Sequence, residues 1–266
     1  MTASADCTAL SSGKGTIYIA LAVASALLGI ALLFVLPTLL KVDELNNYQL
    51  LLSVPLQEIL LIGLPALLLT RRSVSTRERI SSLLKAPDGY AMGLVSVGAV
   101  SFTLAAVFVT ALWIALLQGL GIEVPLDAQT LTPKGIGEYL VAVLCAALLP
   151  SFCEELMFRG LLLPWLSDKM GERTAILLSA LIFSLLHFSL LGFLSLAAIG
   201  ILLARLLLRY QSLWLPMLFH GVYNAVVLLL NSLSARPSPS MIMLSTGVFI
   251  AVGYLLFKKE ETKAWN

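Results

Sequence analysis

Ser151–Gly160 reads SFCEELMFRG and sets Glu154, Glu155 and Arg159 inside apolar sequence, with VAVLCAALLP before it and LLLPWL after. A charged side chain at bilayer depth costs roughly 2.5–3.5 kcal/mol on insertion scales, so intramembrane ionisable residues are functional candidates by default. Glu155 and Arg159 stand at i and i+4 on one helical face, with the glutamate N-terminal, the better order for pairing. Glu154 points about 100° away from Glu155. The spacing predicts one glutamate neutralised in place and one left free.

The rest of the chain agrees with a membrane setting. Of 266 residues, 59% are hydrophobic and 12% charged, and the mean hydropathy is +0.96. Soluble domains carry about 25% charged residues, so the composition predicts a polytopic, all-α membrane protein. A net charge of +2 gives no ground for a nucleic-acid partner. Cys7, Cys145 and Cys153 are odd in number and show no paired spacing, which argues against a disulfide framework or a zinc knuckle. Cys153 reads as a small buried apolar residue.

Hydropathy predicts a flexible leader over 1–15, one membrane domain over 16–257 and a cytoplasmic tail over 258–266. Within the domain, about eight spans are expected: Thr16–Leu40, Leu50–Thr70, Tyr90–Gly119, Glu138–Trp165, Thr174–Phe188, Leu191–Tyr210, Leu213–Asn231 and Met241–Phe257. The first lacks the short core and A-x-A exit of a secretory signal and reads as retained. Arg71–Asp88 reads as a basic, amphipathic loop. The fourth span would run roughly 42 Å, too long for one straight crossing of a 30 Å core. Pro150 removes the bond to the Ala146 carbonyl and predicts a kink just before Glu154. With the N-terminus inside, the cytoplasmic segments carry Arg71, Arg72, Arg77, Arg79, Lys85, Lys169, Arg173, Arg209 and Lys258 among others. The opposite segments carry only Lys41, Lys134 and Arg236, which places both termini in the cytoplasm. Polar intramembrane residues are read in spans four, five and seven only, without an internal repeat.

The two histidines both fall in apolar runs. His187 ends LIFSLLHF, with Phe183 one turn earlier, and His220 has Asn224 at i+4 on the same face. Taken singly, such residues are ordinary interhelical hydrogen-bond partners. Taken together, they suit water-mediated amide hydrolysis. A glutamate in a water-poor cavity serves as general base and then acid, a neutral imidazole helps polarise the water, and a second imidazole with a carboxamide can hold an oxyanion. Ser151, Ser184 and Ser189 show no nucleophile elbow, and Cys153 has no histidine on its helical face. Two histidines and a glutamate also suit an open zinc site, so a zinc-dependent protease stays open as an alternative, although HExxH is absent. A non-catalytic membrane scaffold or immunity protein is a further alternative.

Three motifs in order then resemble a known family. Glu154-Glu155-Leu-Met-Phe-Arg159-Gly160 matches EExxxR, Phe183-Ser-Leu-Leu-His187 matches FxxxH, and His220-Gly-Val-Tyr-Asn224 matches HxxxN. The chain resembles the CAAX prenyl endopeptidase and bacteriocin-processing (CPBP or Abi) family of intramembrane glutamic proteases over about 138–231. The resemblance implies an eight-helix bundle with a polar cavity open to the cytoplasmic leaflet and no metal cofactor. It implies Glu154 as the water-activating residue assisted by His187, and His220 with Asn224 as the oxyanion site. Glu155 with Arg159 would hold the fourth span in register, and Phe183 would orient His187. The implied partners are membrane lipid and a peptide or protein substrate, lipidated or membrane-associated. In a prokaryote the membrane would be the plasma (inner) membrane.

Overall fold

A computed structural model describes residues 47–72, 74–123 and 131–258. Eight helices make up these residues, with no strand among them. Six are long and apolar enough to cross a membrane: α1 (Leu51–Arg72), α3 (Gly89–Gly119), α4 (Gly135–Met170), α6 (Phe193–Tyr210), α7 (Trp214–Ser232) and α8 (Pro239–Phe257). α2 (Val74–Leu83) and α5 (Glu172–Leu186) complete the set. The all-α membrane bundle expected from composition is the observed architecture. Spans two to eight each have a helix; the expected leader, the first span Thr16–Leu40 and most of the tail lie outside the described residues.

Two expectations change in detail. The stretch after α1, read as a loop, forms the helix α2, whose Thr76, Ile80 and Leu83 are buried against the bundle. α5 has 15 residues, about 22 Å of helix, and ends before the bilayer's far side would be reached.

Lipid-facing and core-facing surfaces separate along each helix. Leu140, Leu144 and Leu148 of α4 lie open on one stripe, whereas from Cys153 to Pro164 every residue of that helix is buried. The chemistry-bearing part of α4 therefore occupies the middle of the fold, enclosed by α1, α2, α5, α6 and α7.

The prolines shape this middle. α4 is interrupted by π-helical stretches at Leu144–Leu148 and Leu156–Leu162, and α1 by one at Glu58–Gly63. Each ends two residues before a proline that occupies the second position of the α-helical segment that follows: Pro150, Pro164 and Pro65. A proline cannot donate to the carbonyl four residues back, and its ring presses on that carbonyl. Widening the preceding turn relieves the clash. The kink expected at Pro150 is present as this π-turn. Pro164 leaves the carbonyl of Gly160 without its helical donor, and Arg79 of α2 supplies one, its Nη2 donating to that oxygen at 3.0 Å.

Small residues close the crossings. A Cβ on Gly200 of α6 would stand 2.9 Å from the Cβ and 3.0 Å from the Cα of Ala180 of α5. The Gly200–Ala204 step thus packs within one chain. α2 is fastened at its end by Leu213 N–H on the Leu83 carbonyl at 2.8 Å, Trp214 Nε1 on Leu84 at 2.7 Å and Ser212 Oγ on Lys85 at 3.1 Å.

Candidate active site

The seven residues singled out in the sequence come from three helices and divide into two linked groups. Glu155 is the hub of the first. Its Oε1 accepts from Arg159 Nη1 at 2.9 Å and from His220 Nδ1 at 3.0 Å, with Glu155 and Arg159 both at 0% exposure. Arg159 Nη2 donates onward to the Gly200 carbonyl at 3.1 Å. The pairing expected from the i,i+4 spacing is present, and it also ties α4 to α6 and α7. Paired guanidinium and buried carboxylate each satisfy what the other would otherwise leave exposed to low dielectric.

Phe183 lies between the groups. Its ring stacks on the Arg159 guanidinium (4.7 Å to the centroid), on His187 (4.6 Å between centroids) and edge-on to His220 (5.6 Å). One aromatic ring thus sets the orientation of three polar side chains from three helices.

The second group lines a cavity of about 330 Å³ formed by Val54, Gln57, Glu58, Leu61, Ile62, Glu154, Phe158, Leu186 and His187. His187 Nδ1 meets the Phe183 carbonyl at 2.7 Å. A carbonyl only accepts, so Nδ1 carries the proton, and in the neutral ring Nε2 keeps its lone pair. That nitrogen stands 3.9 Å from Glu154 Oε2. The gap is too long for a direct hydrogen bond and leaves both atoms aimed at the same space. Glu154 is 6% exposed and the His187 side chain 29%, so the pair sits at the cavity wall rather than in sealed core.

Two placements differ from the sequence reading. His220 faces Glu155 through Nδ1, and neither His220 nor Asn224 lines the cavity. Asn224 follows one turn later on α7, half-buried. Glu58 of α1 joins the site from outside spans four, five and seven, to which the sequence reading confines the polar intramembrane residues. Its carboxyl lies in the cavity and meets that of Glu154 in a side-chain hydrogen bond. The signal was available: Glu58 is the lone charged residue between Leu51 and Thr70. It lacked a motif partner at helical spacing, and its neighbour is supplied by tertiary packing. A Cβ on Gly63 would stand 2.8 Å from Cys153 Sγ, so α1 and α4 cross closely enough to join the two carboxyls. Cys153 is buried at this crossing, as its apolar reading predicts.

Residues 136–226 match the family model described as type II CAAX prenyl endopeptidase Rce1-like. This segment is similar to that family. The match spans α4 to most of α7, the stretch that carries all three motifs, and bears out the resemblance read from them. No curated protein and no solved structure matches the chain at a significant level. The family and the helical bundle together support an intramembrane protease of CAAX type in a multi-pass membrane protein.

Among the described residues, no three His, Cys, Asp or Glu side chains converge in a geometry that would hold a metal ion. Each histidine is held through Nδ1, His187 on the Phe183 carbonyl and His220 on Glu155, which leaves Nε2 as its second ring nitrogen.

Proposed function

We propose that this protein is a glutamic-type intramembrane endopeptidase in which Glu154, assisted by His187, activates a water molecule for attack on a peptide bond. The observation that carries the reading is the 3.9 Å separation of Glu154 Oε2 and His187 Nε2 at the cavity wall, with the imidazole tautomer fixed by Phe183. A water between them would donate one hydrogen to each, and a carboxylate in that position can accept the proton as the O–H bond breaks. His220 and Asn224 would stabilise the oxyanion. With its Nδ1 proton held on Glu155, His220 has a donor at Nε2 only as the imidazolium, and the adjacent carboxylate is the natural partner for that charge. Asn224 would reach the substrate from the same face of α7 once peptide occupies the cavity.

The substrate class is a peptide or protein segment presented at the membrane, and the family's prenylated C-terminal peptides are the first to try. Both termini would lie in the cytoplasm, and no metal takes part. Purified protein in detergent, given a farnesylated CAAX peptide, should release the terminal tripeptide and keep doing so in chelator. Loss of activity in chelator that zinc restores would overturn the metal-free mechanism. Wild-type cleavage by Glu154→Ala would overturn the assignment of the base.

A further inference from the structure

We propose that Glu58 is the proton-sharing partner of Glu154, so that the resting site holds one proton between two carboxyls contributed by α1 and α4. The chemistry built on it rests on the peptidase reading above; the shared proton does not.

Two carboxylates cannot lie in hydrogen-bonding contact unless one of them is protonated, because an ionised carboxylate has acceptors only. Glu58 and Glu154 are in such contact. Neither has a cation that would remove the need for the proton: the arginine of the site is engaged by Glu155 and Gly200. Oε2 of Glu58 and Oε2 of Glu154 are both buried without a hydrogen-bond partner in the protein. The groups facing the pair are Cys153, Glu155 and Arg159 on α4, His187 after α5, His220 on α7 and Gln57 on α1; Arg159, the fixed positive charge among them, is held by Glu155. The setting is built rather than incidental. Glu58 opens the π-turn before Pro65, and Gly63 in that turn admits Cys153 to van der Waals contact.

The proton balance of hydrolysis then closes within the site. As the water oxygen forms its bond to the carbonyl carbon, one water O–H breaks and its proton joins the pair, which now holds two. The carbonyl π electrons move to oxygen. When that oxygen reforms the double bond, the C–N bond breaks and the leaving nitrogen takes one proton from the pair. The pair returns to one proton, and the products are a carboxylic acid and an amine.

Infrared spectroscopy of the full-length protein in lipid vesicles tests the shared proton without any substrate. At neutral pH the wild type should show a protonated-carboxyl band that shifts in deuterated water. In Glu58→Gln and in Glu154→Gln the surviving carboxyl has lost its carboxyl partner, so the band should move in frequency in each, with thermal unfolding of each variant confirming an intact fold. Should either variant fail to fold, the unmodified protein still decides the matter, since a hydrophobic carbodiimide labels protonated carboxyls. Label on Glu58 or Glu154 at neutral pH is expected. A wild type without the band, a band left unmoved by either substitution, or carbodiimide label on neither residue would overturn the proposal. Failure to cleave any peptide while the band behaves as stated would count against the peptidase reading alone. Cleavage without the band would count against the shared proton alone.

Discussion

Glu155 and Arg159 are fully buried opposite charges, and the cost of burying either is met only while the other is present. Removing one partner of such a pair typically costs roughly 3–5 kcal/mol, because the survivor is stranded in low dielectric. Arg159→Ala should therefore lower the unfolding temperature in detergent far more than Glu154→Gln does. An Arg159→Ala protein with wild-type thermal stability would show the pair to be dispensable. Glu154 stands in the opposite position, with one oxygen lacking any protein donor. Glu154→Gln conserves shape and should leave stability within about 0.5 kcal/mol, as for a change that breaks no packing. Cleavage should fall by roughly 10²–10⁴-fold, the range for a lost general base. A scaffold that kept the cluster only for packing would share this stability ranking and differ in function. Whatever phenotype it supports would survive Glu154→Gln and be lost in Arg159→Ala.

At the scale of helices, two glycines make crossings that differ in what they face. A Cβ on Gly200 would press on the Cα and Cβ of Ala180, whose positions are fixed by the α5 backbone. A Cβ on Gly160 would meet the Cδ1 of Ile80 at 2.8 Å, the far end of a side chain that can rotate away. Overpacking typically costs about 1–3 kcal/mol. Gly200→Ala should fall in the upper part of that range and Gly160→Ala in the lower, measured by thermal unfolding of the two variants side by side. Gly200→Ala should also weaken the Arg159 contact, because the Gly200 carbonyl that accepts from it moves with α6. Equal losses for the two variants would mean that the α5–α6 crossing yields more readily than its backbone contact implies.

For the molecule as a whole, basic residues gather where the helix ends meet. Lys85 joins Ser212, and Arg209 donates to the Lys258 carbonyl at 3.1 Å, so α2, α6, α7 and α8 share one rim. Arg236 belongs to the loop between the other ends of α7 and α8. With that rim cytoplasmic, a cysteine at Lys85 should react with an impermeant maleimide only in inverted vesicles, and one at Arg236 only in intact cells. The opposite labelling would turn the topology over. Much of this was legible in the chain. Apolar length found each described span, and the i,i+4 spacing of Glu155 and Arg159 found their bond, because a helix alone fixes both. The three motifs located the site for the same reason. Sequence could not place His220 on Glu155 instead of beside Glu154, since that depends on the rotation of α7 against α4. Nor could it raise Glu58, whose partner lies ninety-six positions away and is met only through the close crossing at Gly63. The helix α2 read as a loop because its few apolar residues become a face only when there is a bundle to receive it.

The Leu-Pro steps after the three π-turns have a consequence for insertions and deletions. A π-turn is a helix that has taken in one residue too many without losing its ends. At such a place the chain can give the residue back. Deleting Leu144 together with Pro150→Ala should restore an ordinary α-helical turn and preserve the phase of everything after it, including both glutamates. The same deletion about five turns later, within Leu163–Met170, has no surplus residue to absorb it and should rotate the end of α4 out of contact with α5. Proteins carrying each change, compared for yield and unfolding temperature, should separate a spare residue from a necessary one.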